Sequence, residues 1–306
     1  MSILEEIKSK IEKTDPEDVR LYFITRKKIN EDIEYNVLKT EINKEIGKTL
    51  LDIGKNKIDS FLKLKDLRII DYSTLVNLEQ NNIQTIDKDD VNYLNTILQD
   101  INRADLDIFD MKRSKNLWAY AIKIGDTKTI LFRKYTENRI LDRKGWIALF
   151  ISEGKFNQLR GPVLTIDDDI DTIFYYDKLY ILNVEQFERT FSFMDKFIGE
   201  INDSLKVLEE KDLVDVSFMW NLCKTDPRKI KKLYKILKGD GVKSLNLETI
   251  KKLDTEYNLG LIGKDGKKII VNSNNIWTVL KVLDDDYLKS PVTDNKYEVY
   301  SKVKKT

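Results

Sequence analysis

Histidine is absent from the 306-residue chain, and cysteine occurs once, at Cys223. Without histidine, Ser-His and Cys-His catalytic triads, histidine metal ligands and imidazole acid–base catalysis are excluded. Any catalysis would therefore use carboxylates, lysine, tyrosine or the single thiol. Cys223 shares a helical spacing with Val216 and Trp220, which favours a small core residue over a nucleophile. One thiol also excludes an internal disulfide and is typical of a reducing compartment.

Long apolar runs and a large net charge are also missing. The longest apolar run, residues 146–151, is too short to span a bilayer, and residues 1–13 are too charged for a signal peptide. Lysine and arginine number 53 against 52 aspartates and glutamates, so the net charge is only +1. A nucleic-acid or membrane role would therefore require local clusters of lysine. We expect a globular cytoplasmic protein.

The patterns predict an α+β fold in three regions: a mixed α/β region at 1–112, an antiparallel sheet with a long helix at 113–208, and a winged-helix-like helical module at 209–306. In the first region we expect strands at 21–25 and 35–40, and helices at 3–13, 42–51 and 89–98. Gly54 is expected near the end of the second helix.

The middle region changes to the two-residue period of strands. Trp118, Tyr120 and Ile122 alternate with smaller residues, and Gly125-Asp126 predicts a hairpin turn into residues 129–135. Short polar or Gly/Pro loops separate the next apolar runs, so we expect an antiparallel β-meander. Its further strands are predicted at 146–151, 163–166, 172–176 and 179–182.

A long helix is predicted to follow, because apolar residues recur at alternating steps of four and three. The stripe consists of Phe187, Phe191, Met194, Ile198, Ile201, Leu205 and Leu208. Such a period is typical of a coiled-coil seam, but it also suits a helix that covers a sheet. Phe193 and Phe197 widen the stripe, which favours packing on the meander.

Three helices and a hairpin are predicted in the last region. Asp226 and Pro227 begin the second helix, Gly239 lies just after it, and Asn246 begins the third. Asp265-Gly266 is expected to turn the hairpin between residues 259–262 and 267–271. This order is that of a winged-helix module, in which the third helix enters the DNA major groove and the hairpin touches the flanking backbone.

Lysines occupy the expected contact surfaces of this module. The predicted nucleic-acid-binding residues are Lys231, Lys232, Lys235, Lys251, Lys252, Lys264, Lys267 and Lys268. Winged helices also serve as protein–protein modules, and a basic helix face is often only a solvated face. A scaffold that docks on a membrane partner therefore remains an alternative.

Two carboxylate patterns bear on metal-dependent chemistry. The run Asp167-Asp168-Asp169 with Asp171 offers ligands for Mg²⁺, but neighbours on an extended chain point in opposite directions, which favours turn and strand-edge roles. Glu153 and Lys155 after a strand, with Asp126 or Asp142 upstream, resemble the core of restriction-type nucleases. In a chain with 34% charged residues this spacing also arises by chance, so the nuclease stays an alternative.

Phosphate-binding loops of the Walker type and dinucleotide fingerprints are missing, and Gly239-Asp240-Gly241 is interpreted as a helix stop. We therefore predict no catalytic residue, no metal ligand and no cofactor. Whether the chain is an enzyme stays open, with a non-enzymatic role favoured.

Two segments resemble a known family. Residues 171–188 contain Tyr180-Ile181-Leu182-Asn183 and Phe187-Glu188, and the tail contains Leu283-Asp284-Asp285-Asp286-Tyr287-Leu288-Lys289-Ser290-Pro291-Val292-Thr293, then Tyr297 and Ser301-Lys302. Both resemble the KwaB-like domain of the Kiwa anti-phage system, and the resemblance covers residues 139–302.

The resemblance implies a cytosolic DNA-binding component of bacterial defence, without established enzymatic activity. The implied partners are DNA and a small multi-spanning membrane protein of the same system, which would recruit the chain to the inner membrane. Self-association stays open. The tail residues 290–293 would form a turn that fixes an extended segment around Tyr297.

Overall fold

The computed structural model describes residues 2–30, 32–72, 81–110, 116–125, 128–136, 140–141, 148–152, 155–159, 163–239, 241–263 and 265–299. The chain packs into two compact units; the first ends at Phe191 and the second begins at Ser192. The three regions inferred from the sequence remain a prediction about which segments fold independently.

An eight-stranded sheet forms the centre of the first unit. Its strands are β1 (Val19–Ile29), β2 (Asp32–Thr40), β3 (Arg68–Asp71), β4 (Asn82–Asp87), β5 (Leu117–Ile124), β6 (Thr129–Lys134), β11 (Thr172–Tyr175) and β12 (Lys178–Ile181). The order is β2-β1-β5-β6-β11-β12-β4-β3, antiparallel throughout except between β3 and β4. The chain is thus a mixed α/β protein with a large, mostly antiparallel sheet.

The remaining strands of this unit form two separate pairs. These are β7 (Ile140–Leu141) with β10 (Val163–Leu164), and β8 (Ala148–Ser152) with β9 (Lys155–Leu159).

The predicted hairpins β5–β6 and β11–β12 are confirmed, and Gly125 turns the first with φ +56°. The predicted meander is wrong in its order, because the strands at 148–152 and 163–164 lie outside the large sheet. The N-terminal hairpin β1–β2 joins the sheet instead, through β1 and β5.

Helices α1 (Ile3–Lys13), α2 (Lys44–Leu62), α3 (Leu94–Ile101) and α4 (Val184–Thr190) belong to the same unit. Ser2 and Glu5 form a capping box at the start of α1. The prediction that Gly54 ends α2 is wrong: it lies buried inside the helix, and a Cβ there would approach Leu131 Cδ1 to 2.6 Å. Glycine therefore permits α2 to lie close to the sheet.

The predicted long helix over residues 187–208 is also wrong. The helix α4 ends at Thr190, and Ser192 adopts a left-handed backbone with φ +53° that interrupts helical hydrogen bonding. Phe187 and Phe191 are buried in the first unit, where Phe191 contacts Phe132 of β6 with ring centroids 5.5 Å apart. The apolar stripe therefore divides between two cores.

The second unit is mostly helical. It contains α5 (Phe193–Ser204), α6 (Lys206–Glu209), α7 (Val216–Cys223), α8 (Pro227–Lys238), α9 (Gly241–Ser244), α10 (Leu247–Tyr257), α11 (Ile276–Leu283) and the strands β13 (Tyr287–Lys289) and β14 (Lys296–Glu298). The helices α5 and α8 pack together, with the Phe197 and Tyr234 rings 4.6 Å apart. Cys223 is buried, as predicted, and burial raises the pKa of its thiol to about 11.

The tail forms the hairpin β13–β14, in which Leu288 pairs with Tyr297. The Ser290 N–H donates to the Asn295 carbonyl at 2.9 Å, and the Asp294 N–H donates to the Ser290 carbonyl at 3.0 Å. The predicted turn and extended segment are confirmed. Among the described residues, no helix combines the length and the apolar character needed to cross a membrane.

Candidate nucleic-acid interface

Helix α8 begins and ends as its sequence predicts. The Asp226 carboxylate accepts a hydrogen bond from the Arg228 N–H at 2.9 Å, with Pro227 at the first helical position. Ile230, Leu233 and Ile236 are buried along one side. Lysines therefore occupy the remaining sides of the helix, and their partners decide whether each one is available to a ligand.

Two of the predicted contact residues on α8 are bound by carboxylates. Lys232 forms ion pairs with Asp284 and Asp286, and its side chain is only 17% exposed. Lys235 contacts Asp284 at 3.1 Å. Asp285 lies between the two carboxylates with φ +56°, a left-handed conformation that aspartate tolerates better than most residues. Lys232 and Lys235 are therefore paired with carboxylates of the same chain, and their predicted contact with nucleic acid stays a prediction.

Helix α10 begins at the predicted cap, because the Asn246 side chain accepts from the Thr249 N–H at 2.9 Å. Ile250 is its buried residue. Lys251 pairs with Glu248 at 3.2 Å, and the Glu248 side chain is 79% exposed. Lys252 is exposed and, within the described part of the chain, makes no ion pair.

The predicted hairpin follows α10 and is joined to it by one side chain. The Asp254 carboxylate accepts hydrogen bonds from the N–H groups of Leu261 and Ile262, at 2.8 and 3.1 Å. Across the hairpin, the Ile270 N–H donates to the Leu261 carbonyl at 2.8 Å. Gly266 turns the chain with φ +68°. Asp254 thus fixes the base of the hairpin against the end of α10.

The hairpin lysines differ in their partners. Lys267 is exposed and forms no ion pair with any described residue, whereas Lys268 pairs with Asp212, whose side chain is 76% exposed. Lys264 lies outside the described residues. Lys231, on α8, is half-buried. The structure therefore joins α10 to the hairpin, while Lys232 and Lys235 are directed to the segment after α11.

The acidic run of the first unit surrounds an arginine. The Arg133 guanidinium contacts Asp167 at 2.6 Å, Asp169 at 3.2 Å and also Asp171. Asp169 accepts a local turn hydrogen bond from the Ile170 N–H at 2.9 Å. Asp171 also accepts from the Lys134 N–H at 2.7 Å. The turn and strand-edge role is thus observed, together with an ion-pair network.

Charge and burial compete in this network. Asp171 is 1% exposed, and burial raises the pKa of its carboxyl to about 6 despite the neighbouring guanidinium. Burial opposes the charge on Arg133, but the surrounding carboxylates outweigh it and raise the pKa of the guanidinium. Among the described residues, no group of three or more acidic or cysteine side chains is arranged to hold a metal ion.

The nuclease alternative falls mainly outside the described chain. Glu153, Asp126 and Asp142 are not among the described residues, and only the backbone of Lys155 is described. The pairing of Arg133 with Asp167, and of Lys232 with Asp284 and Asp286, was not predicted, because the partners are distant along the chain. The acidic runs themselves were visible, and runs of carboxylates in a lysine-rich chain are a signal for such internal pairs.

Comparison with known proteins identifies the family. The family model described as Kiwa protein KwaB-like matches residues 114–293, about three fifths of the chain. The chain therefore belongs to the KwaB-like family and is a component of the Kiwa anti-phage defence system, which implies partner proteins of that system. No curated protein and no solved structure gave a significant match.

Proposed function

We propose that this KwaB-like protein is a non-enzymatic DNA-binding component of the defence system. It contacts backbone phosphates through Lys251, Lys252, Lys267 and Lys268, which we call the α10–hairpin surface. The observation that supports this most directly is the exposure of Lys252 and Lys267 without ion pairs in the described part of the chain, on two elements joined by Asp254.

The other two lysines of the α10–hairpin surface have weakly held partners. Lys251 and Lys268 pair with carboxylates whose side chains are 79% and 76% exposed. Exposed ion pairs of this kind contribute about 0–1 kcal/mol. A phosphate can therefore replace either carboxylate at little cost. Lys232 and Lys235 differ, since the Asp284 side chain they share is only 10% exposed. Their contribution to DNA binding is accordingly proposed to be smaller.

A winged-helix arrangement is part of this proposal. Supporting it, β-bridges connect Ile262 with Ile269 and Ile269 with Val214, which precedes α7. Along the sequence, helices α7, α8 and α10 lie between Val214 and the hairpin that contains Ile262 and Ile269. In that arrangement α10 is the helix that enters the major groove and the hairpin is the wing.

Recruitment to the membrane is proposed to depend on a small multi-spanning membrane protein of the same system. Family membership supports a partner within the system. Fractionation of cells that contain or lack that membrane protein tests the point: the chain should move from the membrane fraction to the soluble fraction when the partner is deleted. Membrane association that survives the deletion contradicts it.

Fluorescence anisotropy with labelled duplex and single-stranded DNA tests the DNA-binding proposal. The test variant replaces four lysines of one surface by alanine: Lys251, Lys252, Lys267 and Lys268. The control removes the same charge from exposed lysines of the first unit: Lys13, Lys48, Lys63 and Lys65. We expect the test variant to bind at least about tenfold more weakly at low salt, because each phosphate contact releases counterions.

The control variant should bind DNA as the wild type does. Absence of binding to either form of DNA at low salt contradicts the proposal. Equal losses in the test and control variants also contradict it, because they would assign binding to overall charge rather than to the α10–hairpin surface.

A further inference from the structure

A cavity of about 430 Å³ lies in the first unit, between the outer face of α3 and the ends of strands β5, β6 and β11. This volume is within the range of about 300–1,000 Å³ that small-molecule sites occupy. The cavity shares no residue with the α10–hairpin surface, which belongs to the second unit.

The cations of the cavity exceed its anions. Lys88, Lys123 and Lys128 line it together with a single carboxylate, Asp177. Lys88 pairs with Asp177 at 2.6 Å. The Lys123 Nζ donates to the neutral Asn102 side chain at 2.9 Å, and neither Lys123 nor Lys128 forms an ion pair with a described residue. Two positive charges therefore remain for an anionic ligand, and phosphate is the anion that lysine clusters commonly bind.

One face of α3 supplies carboxamide groups to the same cavity. Asn95, Gln99 and Asn102 are four and then three residues apart, so they lie on one side of the helix while its apolar residues are buried on the other. Asn95 and Asn102 use their amide N–H groups on Asp89 and on the Leu98 carbonyl. Gln99 is exposed and makes no hydrogen bond with the described residues. A carboxamide offers a donor and an acceptor, the pair that reads the edge of a nucleobase.

The cavity also has an apolar wall and an aromatic rim. Ile130 and Phe174 provide buried apolar surface, and Tyr176 is 47% exposed. The Tyr176 ring is held in place, because its hydroxyl accepts from Lys10 Nζ at 3.1 Å and its ring meets Tyr175 edge-on at 4.5 Å. An exposed, fixed aromatic ring is a surface on which bases stack.

We propose that this cavity binds a nucleoside phosphate, with the phosphate on Lys123 and Lys128 and the base between Gln99 and Tyr176. Charge, hydrogen-bonding groups and aromatic surface occur together on separate elements of the first unit. Phosphate alone would use the lysines but not Gln99 or the tyrosine. A free nucleotide and the end of a nucleic-acid strand share the required chemistry.

Isothermal titration calorimetry on the full chain tests this site. The probes are adenosine 5′-monophosphate, thymidine 5′-monophosphate, adenosine, inorganic phosphate and a short 5′-phosphorylated thymidine oligonucleotide. The oligonucleotide is titrated into the variant that lacks the four lysines of the α10–hairpin surface, so that binding at the proposed DNA surface does not contribute. We expect at least one nucleotide or the oligonucleotide to bind more tightly than phosphate or adenosine.

The variants locate the site. Replacing Lys123 and Lys128 by alanine should weaken that binding at least about tenfold, since two charge-assisted contacts are lost. Gln99→Ala should weaken nucleotide binding but leave phosphate binding unchanged. Because Lys123 is half-buried, the single variant Lys128→Glu provides a second test at an exposed position. The matched control, Lys13→Ala with Lys48→Ala, should bind as the wild type does.

The outcomes distinguish a free nucleotide from the end of a nucleic-acid strand, and they distinguish the cavity proposal from the DNA-binding proposal. Binding of a free nucleotide assigns the cavity to nucleotides, and binding of the oligonucleotide alone assigns it to strand ends. The proposal is overturned if neither a nucleotide nor the oligonucleotide produces a binding heat at concentrations up to about 1 mM. Binding that is unchanged in the Lys123 and Lys128 variant, or phosphate binding as tight as nucleotide binding, also overturns it. Duplex DNA binding should persist in that variant, so failure here leaves the DNA proposal intact.

Discussion

The tetrapeptide Ile-Lys-Lys-Leu occurs twice in the second unit, at residues 230–233 in α8 and 250–253 in α10. Both isoleucines are buried. In α8 the second lysine, Lys232, lies between Asp284 and Asp286 and is 17% exposed. In α10 the second lysine, Lys252, is exposed and has no ion pair within the described residues. The same local sequence therefore gives a structural cation in one helix and a solvent-facing cation in the other.

Arg133 in the first unit is a structural cation like Lys232, because carboxylates from another segment of the chain surround it. Breaking a pair of this type leaves buried charge without a partner, which is destabilising, whereas removing an exposed lysine changes little. The role of each cation is thus determined by distant carboxylates. That distinction can be measured as a free energy of unfolding.

The largest effect is expected at Arg133, whose side chain is 14% exposed. Arg133→Met should lower the free energy of unfolding by about 3–5 kcal/mol, because Asp167 and Asp171 lose their cation. Urea denaturation followed by circular dichroism measures it. Asp168→Asn, at an exposed position beside the network, is the control and should stay within about 0.5 kcal/mol. A loss at Arg133 below about 1 kcal/mol contradicts the structural role.

Asp171 should make stability depend on pH. The folded pKa of about 6 lies above the ordinary value of 3.8, so the folded state holds the proton more tightly. The resulting stabilisation is complete below about pH 4 and is lost as pH rises through 6, by at most about 3 kcal/mol. Asp171→Asn does not titrate at this position, so as pH rises from about 4 to 7 the unfolding free energy of the wild type should fall relative to that of Asp171→Asn by at most about 3 kcal/mol. A constant difference contradicts the raised pKa.

The two copies of the tetrapeptide allow a matched pair of substitutions. Lys232→Met should cost about 2 kcal/mol, because Asp284 and Asp286 are left with one cation fewer, and the partial exposure of Lys232 keeps the loss below that of a fully buried pair. Lys252→Met should stay within about 0.5 kcal/mol. Combining Lys232→Met with Asp284→Asn should cost less than the sum of the single changes. Equal losses of unfolding free energy at Lys232 and Lys252 would contradict the distinction between a structural cation in α8 and a solvent-facing cation in α10.

Local signals in the sequence predicted the starts of α8 and α10 correctly. Asp226 and Asn246 cap α8 and α10 because their side chains reach backbone N–H groups two or three residues onward, a relation that sequence alone specifies. The hairpin β5–β6 was likewise predicted from local residues, whereas the tail turn at Ser290 was implied by the family resemblance. The KwaB-like resemblance also rested on contiguous residues, and the family model confirms it.

Non-local features were the ones that sequence did not reveal. The apolar stripe that begins at Phe187 and Phe191 predicted one helix as far as Leu208, but Ser192 adopts a left-handed backbone, so the stripe divides between the cores of the two units. Lys232 and Lys235 of α8 were predicted to bind nucleic acid, and the α8 sequence does not indicate that carboxylates after α11 pair with them. The cavity on α3 combines residues from several elements, so no single stretch of the chain indicated it.

The salt dependence of duplex DNA binding tests the proposed role of the exposed lysines most directly. The double variant Lys252→Ala with Lys267→Ala is compared with Lys13→Ala and Lys48→Ala, which removes the same charge from the first unit. If both lysines contact phosphates, the slope of log affinity against log salt should decrease in magnitude by about 2, while the control keeps the wild-type slope. An unchanged slope in the Lys252 and Lys267 variant would contradict DNA binding by the α10–hairpin surface.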